Sequence, residues 1–478
     1  MAKGKAVGPD GIPIEVWKCL GEDGVWWLTK LFNEILRSKK MSDDWRKSTL
    51  VPIYKDKGDI QNCVNYRGIK LMSHTMKLWE KVIERRLRNE TRISKNQFGF
   101  MPGRSTTEAI YLIRGLMERY RSIRKDLHII FIDLEKAYDR VPRDLLWKIL
   151  EKKEVQVEYI RAIQDMYEGV MTRVRTPVGD TIDFPIKIGL HQGSALSPYL
   201  FNLVMDVVTE SIQEEIPKCM LFADDIVILG DSKDEINWKL ELWRTTLESK
   251  SFRISRSKTE YMCCSFGNRQ THEDIETVLG EDVIRQVDKF KYLGSVIQED
   301  CEVDGDINNR IQAGWCKWRK ASGIICDRRV QTKVKGELYR TAIRPVLSYG
   351  SECWAIKKQQ EHKMDVSEMK MLRWSSGYTL KDRIRNDHIR ERVGVAPISE
   401  KMREYRLRWY GHVQRRELDE PVRIVEQMER EPYIRNRGRP KRTLDEVIQR
   451  DMVVKNLSVG MTRDRVKWRR VIHVADPI

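Results

Sequence analysis

The chain has 478 residues, of which 41% are hydrophobic and 33% are charged. This length is enough for about three folded units with a sizeable core, which excludes a small disulfide scaffold and a fully disordered chain. Its 88 Lys and Arg residues exceed its 71 Asp and Glu residues, for a net charge of +17. This excess predicts a polyanionic partner, with nucleic acid first and an acidic membrane surface second.

Hydropathy and cysteine usage indicate the cellular compartment in which the protein is expected. No apolar stretch approaches the roughly 20 residues needed to cross a bilayer, and the N-terminus lacks the hydrophobic segment of a signal peptide. The nine cysteines are scattered without a C-x-x-C pair, which argues against a disulfide framework and a structural zinc site. We therefore expect an intracellular protein, nuclear or cytoplasmic and not secreted, that does not span a membrane.

Residues 1–126 combine helical patterns with polar loops. The segment GPDGIP (8–13) is a turn cluster, and YKDKGDIQNCVNYRG (54–68) is a polar, basic loop. Ser105 and Glu108 have the spacing of a capping box and predict a helix that begins there. Apolar side chains at helical spacing predict an earlier helix: Trp27, Leu28, Leu31, Phe32, Ile35 and Leu36.

The strands are expected between residues 127 and 300. LHIIFID (127–133) is an apolar run that ends in a carboxylate, and IPKCMLFADDIVILG (216–230) contains two apolar runs joined at Asp224–Asp225, as in a hairpin. Between them, 197–212 has a helical pattern with Pro198 in its first turn. FKYLGSVI (290–297) is a further strand candidate.

Residues 300–478 are predicted to be mostly helical. The segment 381–478 has 25 Lys and Arg residues against 16 Asp and Glu residues, and Arg and Trp are interleaved in RLRWYGHVQRR (406–416) and RVKWRR (465–470). Such a composition suits phosphate contacts combined with base stacking. We nevertheless expect Trp354, Trp374 and Trp409 to be core residues.

Three carboxylates are candidates for chemistry. Asp133 ends one strand, and Asp224 and Asp225 lie at the turn of a hairpin. If they lie close together they repel each other unless cations neutralise them, and Mg²⁺ binds carboxylate and phosphate oxygens. Two such ions could promote nucleotidyl transfer. The alternative is that the Asp pair simply caps a turn.

Eight short motifs follow one another along the chain: KAVGPDGIP (5–13), NYRGIKL (65–71), QFGFMPGRST (97–106), FIDLEKAYD (131–139), GLHQGSALSP (189–198), FADD (222–225), KTE (258–260) and YLG (292–294). This ordered set resembles a reverse transcriptase, and most closely the non-LTR (LINE-type) retrotransposon branch. The C-terminal segments SYGSECW (348–354) and RLRWYGHVQR (406–415) resemble RTE-like elements of that branch.

This resemblance implies an α+β right-hand polymerase whose palm contains an antiparallel sheet. The expected units are an N-terminal extension and fingers (1–126) and a palm with the catalytic carboxylates (127–288). A primer-grip hairpin and thumb (289–360) and a basic helical C-terminal region (361–478) follow. Such elements carry an endonuclease ahead of the polymerase, and this chain opens within the first polymerase-associated motif, so we expect a polymerase portion without that domain.

The resemblance also implies residue roles. Asp133, Asp224 and Asp225 match the catalytic metal ligands, for two Mg²⁺ ions with Mn²⁺ as a possible substitute. Tyr138 matches the aromatic gate below the sugar 2′ position, with a core aromatic as the alternative. Arg67 matches a residue that contacts the triphosphate, with a surface ion pair as the alternative. Gln192 and Gly193 match the loop that lines the nucleotide and template. Lys258 matches a lysine that donates a proton to the leaving pyrophosphate.

Two positions depart from the family pattern. His191 stands where the motif usually has proline, and we interpret it as a neutral substitution rather than a new catalytic histidine. The residues before KTE lack the usual Gly and Asn, which weakens the assignment of Lys258.

The segment RGRPKR (437–442) has three open interpretations. Arg437, Arg439, Lys441 and Arg442 could form a solvated basic loop, a nuclear-localisation cluster, or a contact with a narrow minor groove.

The predicted function is RNA-directed DNA polymerase, a nucleotidyltransferase that extends a DNA primer with dNTPs on an RNA template. The alternatives are a catalytically idle RNA-binding remnant of such an element and a protein like a group II intron maturase. Intact Asp133, Asp224 and Asp225 argue against the first, and the RTE-like C-terminal motifs argue against the second.

Overall fold

The computed structural model describes residues 3–56, 58–267, 276–428 and 441–477. The predicted α+β class is confirmed, because mixed sheets occupy the first 300 residues and helices follow.

The strands form two larger sheets and two hairpins. Their bounds are β1 (Lys47–Tyr54), β2 (Tyr66–Leu71), β3 (Leu127–Asp133), β4 (Met171–Thr176), β5 (Gly179–Asp180), β6 (Phe184–Pro185), β7 (Cys219–Phe222), β8 (Asp225–Gly230), β9 (Glu260–Cys264), β10 (Val278–Leu279), β11 (Asp282–Val283), β12 (Arg285–Gln286), β13 (Lys289–Tyr292) and β14 (Ser295–Gln298).

The helices surround these sheets and make up the C-terminal part. Their bounds are α1 (Ile14–Cys19), α2 (Gly21–Ser38), α3 (His74–Glu90), α4 (Thr106–Ser122), α5 (Ala137–Arg140), α6 (Arg143–Lys152), α7 (Val157–Tyr167), α8 (Ser197–Thr209), α9 (Lys233–Glu248), α10 (Asp304–Lys320), α11 (Ser322–Ile325), α12 (Thr332–Leu338), α13 (Arg344–Leu347), α14 (Lys358–Ser375), α15 (Asn386–Val393), α16 (Ile398–Gln414), α17 (Pro421–Gln427), α18 (Leu444–Val454) and α19 (Arg465–Ile472). A π-helical segment, Tyr339–Ile343, joins α12 to α13.

The central sheet has the strand order β12-β9-β3-β8-β7. Its middle strand β3 is apolar on both sides because helices cover both faces. Ile130 and Ile132 join the core that contains α8, whereas Ile129 and Phe131 join the core that contains α4. The predicted strand, hairpin and helix starts in this region are confirmed, including the Ser105 cap, whose Oγ accepts from the Glu108 amide at 3.2 Å.

A second sheet in the N-terminal part differs from the expectation of helices and loops. β1 pairs antiparallel with β2 and parallel with β4. Pro52 lies within β1 and weakens its strand signal, but pairing with β4 ends at Leu50, so the missing donor costs no ladder bond there. β2 alternates between exposed and covered residues and carries Arg67 on its exposed side.

The C-terminal helices are confirmed and share cores with the rest of the chain. α16 contributes Leu407, Trp409 and Val413 to the α4 core and Met402 to a third core formed with α10 and α14. Within α16, the buried Arg406 pairs with Asp451 of α18 at 2.8 Å. The chain after residue 398 is therefore an integral part of the packing.

The expected core positions of Trp354 and Trp409 are confirmed, but that of Trp374 is wrong, since its side chain is 57% exposed. Trp374 lies at the end of α14, where its ring packs edge-on against Trp315 of α10 at the surface. In the four described ranges, no helix is both long and apolar enough to cross a membrane.

Candidate active site

The three predicted carboxylates meet where β3 ends and β8 begins. Asp133 and Asp225 are direct partners across these antiparallel strands. Asp224 is the second residue of the two-residue turn, Ala223–Asp224, that joins β7 to β8. Only Asp224 lies in the turn itself, because Asp225 is already the first residue of β8. A rigid sheet therefore positions all three side chains.

The turn that carries Asp224 is held by Gln97, a residue of the QFGFMPGRST motif whose role was not predicted. Ala223 has a left-handed backbone with φ +58°, and its amide donates to Gln97 Oε1 at 2.9 Å. The Gly99 amide donates to the same oxygen at 2.9 Å. A Cβ on Gly99 would lie 2.5 Å from the Ala223 nitrogen, so only glycine permits this approach. Residues 222–225 are called the catalytic turn because of the role that is proposed for them below.

Electrostatics at the site reflect crowded negative charge. Burial, reinforced by the charges of Asp224 and Asp133, raises the pKa of Asp225 to about 7. Burial and then Asp133 raise the pKa of Asp224, while Lys258 and Arg67 act in the opposite direction. The Lys258 ammonium donates to Asp133 Oδ2 at 2.8 Å. Positive charge therefore stabilises the ionised site.

The donor set fits a hard divalent cation. Carboxylate oxygens on a rigid sheet are ligands that Mg²⁺ takes, together with phosphate oxygens. Within the described ranges no group of three or more His, Cys, Asp or Glu side chains is arranged so that it could hold a metal ion. Asp133, Asp224 and Asp225 nevertheless offer carboxylate oxygens at the adjoining ends of β3 and β8.

Tyr138 lies beside this site and is half-buried. Its ring stacks on Phe201 of α8 with centroids 4.5 Å apart and planes 12° apart. Its hydroxyl is buried and has no hydrogen-bond partner in the described part of the chain. Burial, and then the charge of Asp224, raises the pKa of Tyr138. The hydroxyl is neutral, and the ring supplies bulk near Asp224.

The loop 189–196 precedes α8 in the chain and packs against β2. Gln192 Nε2 is 3.5 Å from Asp139 Oδ1, and Gly193 has φ +102°. His191 is buried with its ring 4.5 Å from that of Tyr167, and burial lowers its pKa well below the usual range. His191 is therefore an uncharged side chain that packs in the interior. This agrees with the interpretation that it replaces proline without a catalytic role.

Gly193 touches the β2 strand directly. A Cβ at this position would lie 2.8 Å from the Lys70 carbonyl oxygen. We expect Gly193→Ala to lower the free energy of unfolding by about 1–3 kcal/mol through backbone strain and this close contact, as measured by urea unfolding. Gly179→Ala is the matched control, because Gly179 also has positive φ but faces open space. Equal losses of stability in both variants would contradict this packing role of Gly193.

A buried carboxylate that the sequence analysis did not single out anchors the same loop. Glu80 of α3 accepts from the Ser194 hydroxyl at 2.7 Å and from the Ala195 amide at 2.8 Å. Burial raises the pKa of Glu80, although these two hydrogen bonds lower it.

Removing the Glu80 carboxylate leaves the buried Ser194 hydroxyl and the partly buried Ala195 amide without this acceptor. We expect Glu80→Ala to lower the free energy of unfolding by roughly 2–5 kcal/mol, and Glu80→Gln to lower it less because one acceptor remains. Urea unfolding measures the difference. Glu84→Ala, one turn along α3 and partly exposed, should change stability by less than about 1 kcal/mol.

Arg67 lies on the exposed side of β2, and its charge reaches Asp224. No carboxylate in the described ranges forms an ion pair with it, so the alternative of a surface ion pair finds no partner there. Three residues later on the same strand, Lys70 is buried, and burial lowers its pKa to about 8. Both cations lie on the strand that contacts Gly193.

The FKYLGSVI segment forms the β13–β14 hairpin beside the carboxylates. Phe290 stacks on Phe131 of β3 with centroids 3.9 Å apart and planes 11° apart. A cavity of about 230 Å³ lies between this hairpin and the ends of β3 and β8, lined by Asp133, Asp225 and Lys258 among others. The hairpin therefore forms one wall beside the carboxylates.

Of the four basic residues predicted in RGRPKR, Arg437 and Arg439 lie outside the described residues. Lys441 Nζ lies 3.4 Å from the Asp300 carbonyl oxygen, and Arg442 donates to the Ile356 carbonyl at 3.1 Å. These two side chains thus contact the segments next to α10 and α14.

Comparison with known proteins assigns this chain to a family. The profile of the family described as reverse transcriptase (RNA-dependent DNA polymerase) matches residues 53–297. The chain is 24% identical over 466 residues to the probable RNA-directed DNA polymerase from transposon BS of Drosophila melanogaster, covering 91% of this chain and 50% of that protein. It is also 24% identical over 344 residues to the Pol polyprotein of a type-1 R2 retrotransposable element of Nasonia vitripennis, covering 68% and 33%.

Among solved structures, apo telomerase from Candida tropicalis is similar with a TM-score of 0.42 and 12% identity, covering 97% of this chain and 75% of that one. The chain spans half or less of the length of both relatives named above. The matched range includes Asp133, the catalytic turn and Lys258, and the match confirms the resemblance that the motifs show. The chain belongs to the reverse transcriptase family.

Proposed function

We propose that this chain is an RNA-directed DNA polymerase of a LINE-type element. The primer 3′-oxygen forms a bond to the α-phosphorus of a dNTP, the bond from that phosphorus to the bridging oxygen breaks, and pyrophosphate leaves. The observation that carries the proposal is the meeting of Asp133, Asp224 and Asp225 at the adjoining ends of β3 and β8. Carboxylates so placed suit phosphoryl transfer.

The proposed layout is that of a right hand. Residues 1–126 form the N-terminal extension and fingers, and residues 127–288 form the palm. Residues 289–360 form the primer-grip hairpin and thumb, and residues 361–478 form the basic C-terminal region. The central sheet in the palm region and the β13–β14 hairpin beside its carboxylates support this layout.

The carboxylates are proposed to hold two Mg²⁺ ions, with Mn²⁺ as a possible substitute. Reverse transcriptases generally use divalent ions. When bound, such ions would lower the pKa of the primer hydroxyl and offset charge on the leaving group. Asp133, Asp224 and Asp225 supply the fixed negative charge, and the sheet holds them in place without reorganisation.

Five other residues are proposed to position the nucleotide or to assist the reaction. Arg67 contacts the triphosphate from β2, and the Gln192–Gly193 segment lines the nucleotide and template. Tyr138 fills the space below the sugar 2′ position. Lys258, beside Asp133, donates a proton to the leaving pyrophosphate. The charges of Arg67 and Lys258 act on Asp224, and the charge of Asp224 acts on Tyr138, which supports the roles of these three residues. The contact of Gly193 with β2, the strand that carries Arg67, supports the role of the Gln192–Gly193 segment.

The proposed partners are an RNA template, a DNA primer and dNTPs. Primer extension on poly(rA) with oligo(dT), dTTP and Mg²⁺ tests the proposal with purified protein. We expect synthesis that stops when EDTA removes the metal. Template binding without any synthesis would contradict the polymerase proposal and favour a catalytically idle RNA-binding remnant.

A further inference from the structure

A strongly basic cleft lies apart from the carboxylates. It opens between the loop that precedes α4 and the helices α16 and α19, with a volume of about 390 Å³. The name arginine cleft is used for it because its charged lining consists mainly of guanidinium groups: Arg104, Arg408, Arg415, Arg465 and Arg469, with the carboxylate of Glu352.

The positive charge of the arginine cleft is only partly neutralised by the protein. Arg104 pairs with Glu108 and with Glu420, and Arg408 pairs with Glu404. Arg465 and Arg469 are exposed on α19 and make neither a hydrogen bond nor an ion pair with any residue in the described ranges. These two side chains are therefore available to an anionic ligand.

Packing like charges into this cleft is unfavourable without a ligand. Burial, followed by repulsion from Arg465 and Arg469, lowers the pKa of Arg415. Burial and the neighbouring arginines lower the pKa of His412 to about 4, and Arg416 Nε donates to its Nε2 at 3.3 Å, so this ring is neutral. In addition, the buried Trp409 Nε1 lacks a hydrogen-bond acceptor in the described ranges.

The cleft is connected to the catalytic turn by a short stretch of chain. Gly99 contacts Ala223 of the catalytic turn, and Gly103, four residues later, lines the cleft. Four residues span at most about 14 Å even when fully extended. A ligand at Gly103 thus lies close to the chain segment that supports Asp224.

We propose that the arginine cleft binds the phosphodiester backbone of a single-stranded nucleic acid that leads to the catalytic turn. Guanidinium groups form paired hydrogen bonds with phosphate oxygens and are well suited to this ligand. Their grouping around a small concave cleft favours one strand over a duplex, which would need charges spread along a wider surface. The inference rests on the proposed function, because it assigns a site to the strand being copied or extended.

The test uses the full chain, because truncation at residue 398 would expose two cores. The variant Arg465→Gln/Arg469→Gln removes two cleft charges. The matched control Lys467→Gln/Arg470→Gln removes two charges from the same helix outside the cleft lining. Equal thermal unfolding midpoints for the three proteins establish that α19 remains folded.

Binding of fluorescent oligo(rU) and oligo(dT) of equal length is measured across a salt titration. For single strands, the slope of the logarithm of the binding constant against the logarithm of the salt concentration changes by about 0.7 for each phosphate contact. The slope should therefore become shallower by about 1.4 in Arg465→Gln/Arg469→Gln and stay unchanged in Lys467→Gln/Arg470→Gln. A loss with oligo(rU) identifies an RNA strand, and a loss with oligo(dT) alone identifies a DNA strand.

An equal loss of slope in the two variants would mean that net charge rather than the cleft controls binding, and this result would overturn the inference. An unchanged slope in both variants would also overturn it. The measurement contains no dNTP and reads binding alone. If the protein does not extend a primer but the two variants still differ in the salt dependence of binding, the proposed function is contradicted and the assignment of the cleft stands.

Discussion

Primer extension by the Asp224→Asn variant is expected to fall by about 10²–10⁴-fold, because the amide keeps the shape of the side chain but removes the charge that would hold a cation. The same is expected for Asp133→Asn at the end of β3. Asp225→Asn should also reduce activity, though less. Single-turnover extension with Mg²⁺ measures the loss, and binding of RNA should remain nearly unchanged.

The matched control for these variants is Asp231→Asn. Asp231 follows the other end of β8, where it pairs with Lys125 at 2.7 Å and accepts from the Tyr120 hydroxyl. Loss of this partly exposed pair should cost about 1 kcal/mol or less and leave synthesis intact. Undiminished extension by Asp224→Asn would disprove the assignment of the catalytic turn.

Discrimination against ribonucleotides is expected to fall by about one to two orders of magnitude in Tyr138→Ala. A ring at this position would overlap a 2′-hydroxyl, and such overlap in a tightly packed site costs about 1–3 kcal/mol. The stacking of Tyr138 on Phe201 fixes the ring in place. The ratio of kcat/KM for dTTP and UTP measures the effect, so a general loss of activity does not mimic it.

Tyr138→Phe is the matched control for the ring. The Tyr138 hydroxyl makes no hydrogen bond in the described part of the chain, and its removal leaves the ring in position. We expect unchanged selectivity for this variant. An active Tyr138→Ala variant with wild-type selectivity would show that Tyr138 is a packing residue and that sugar selection lies elsewhere.

Local signals in the sequence were sufficient for the core of the candidate site. β3 is a continuous apolar run because both of its faces are buried, and the run ends in Asp133, which places this carboxylate at the end of the middle strand of the sheet. The hairpin that carries Asp224 has the same kind of signal on both strands. Periodicity and turn chemistry therefore predicted these elements correctly.

Contacts between distant parts of the chain had no such signal. Gln97 holds Ala223 across 126 positions, and Glu80 holds Ser194 across 114. A polar residue that anchors a remote loop looks like any other polar residue until the fold is known. The strands β1 and β2 were missed because Pro52 and exposed charged residues weaken their strand pattern, and because β1 also pairs with the distant strand β4.

The position of α16 has a genetic consequence. This helix fills the α4 core with Leu407 and Trp409, and each such side chain contributes roughly 1.5–3 kcal/mol when buried. A copy of the gene with a stop codon shortly before residue 398 would retain Asp133, Asp224 and Asp225 but lose these contacts. Its product would fail to fold stably, so an intact set of catalytic codons is not a sufficient criterion for a functional copy.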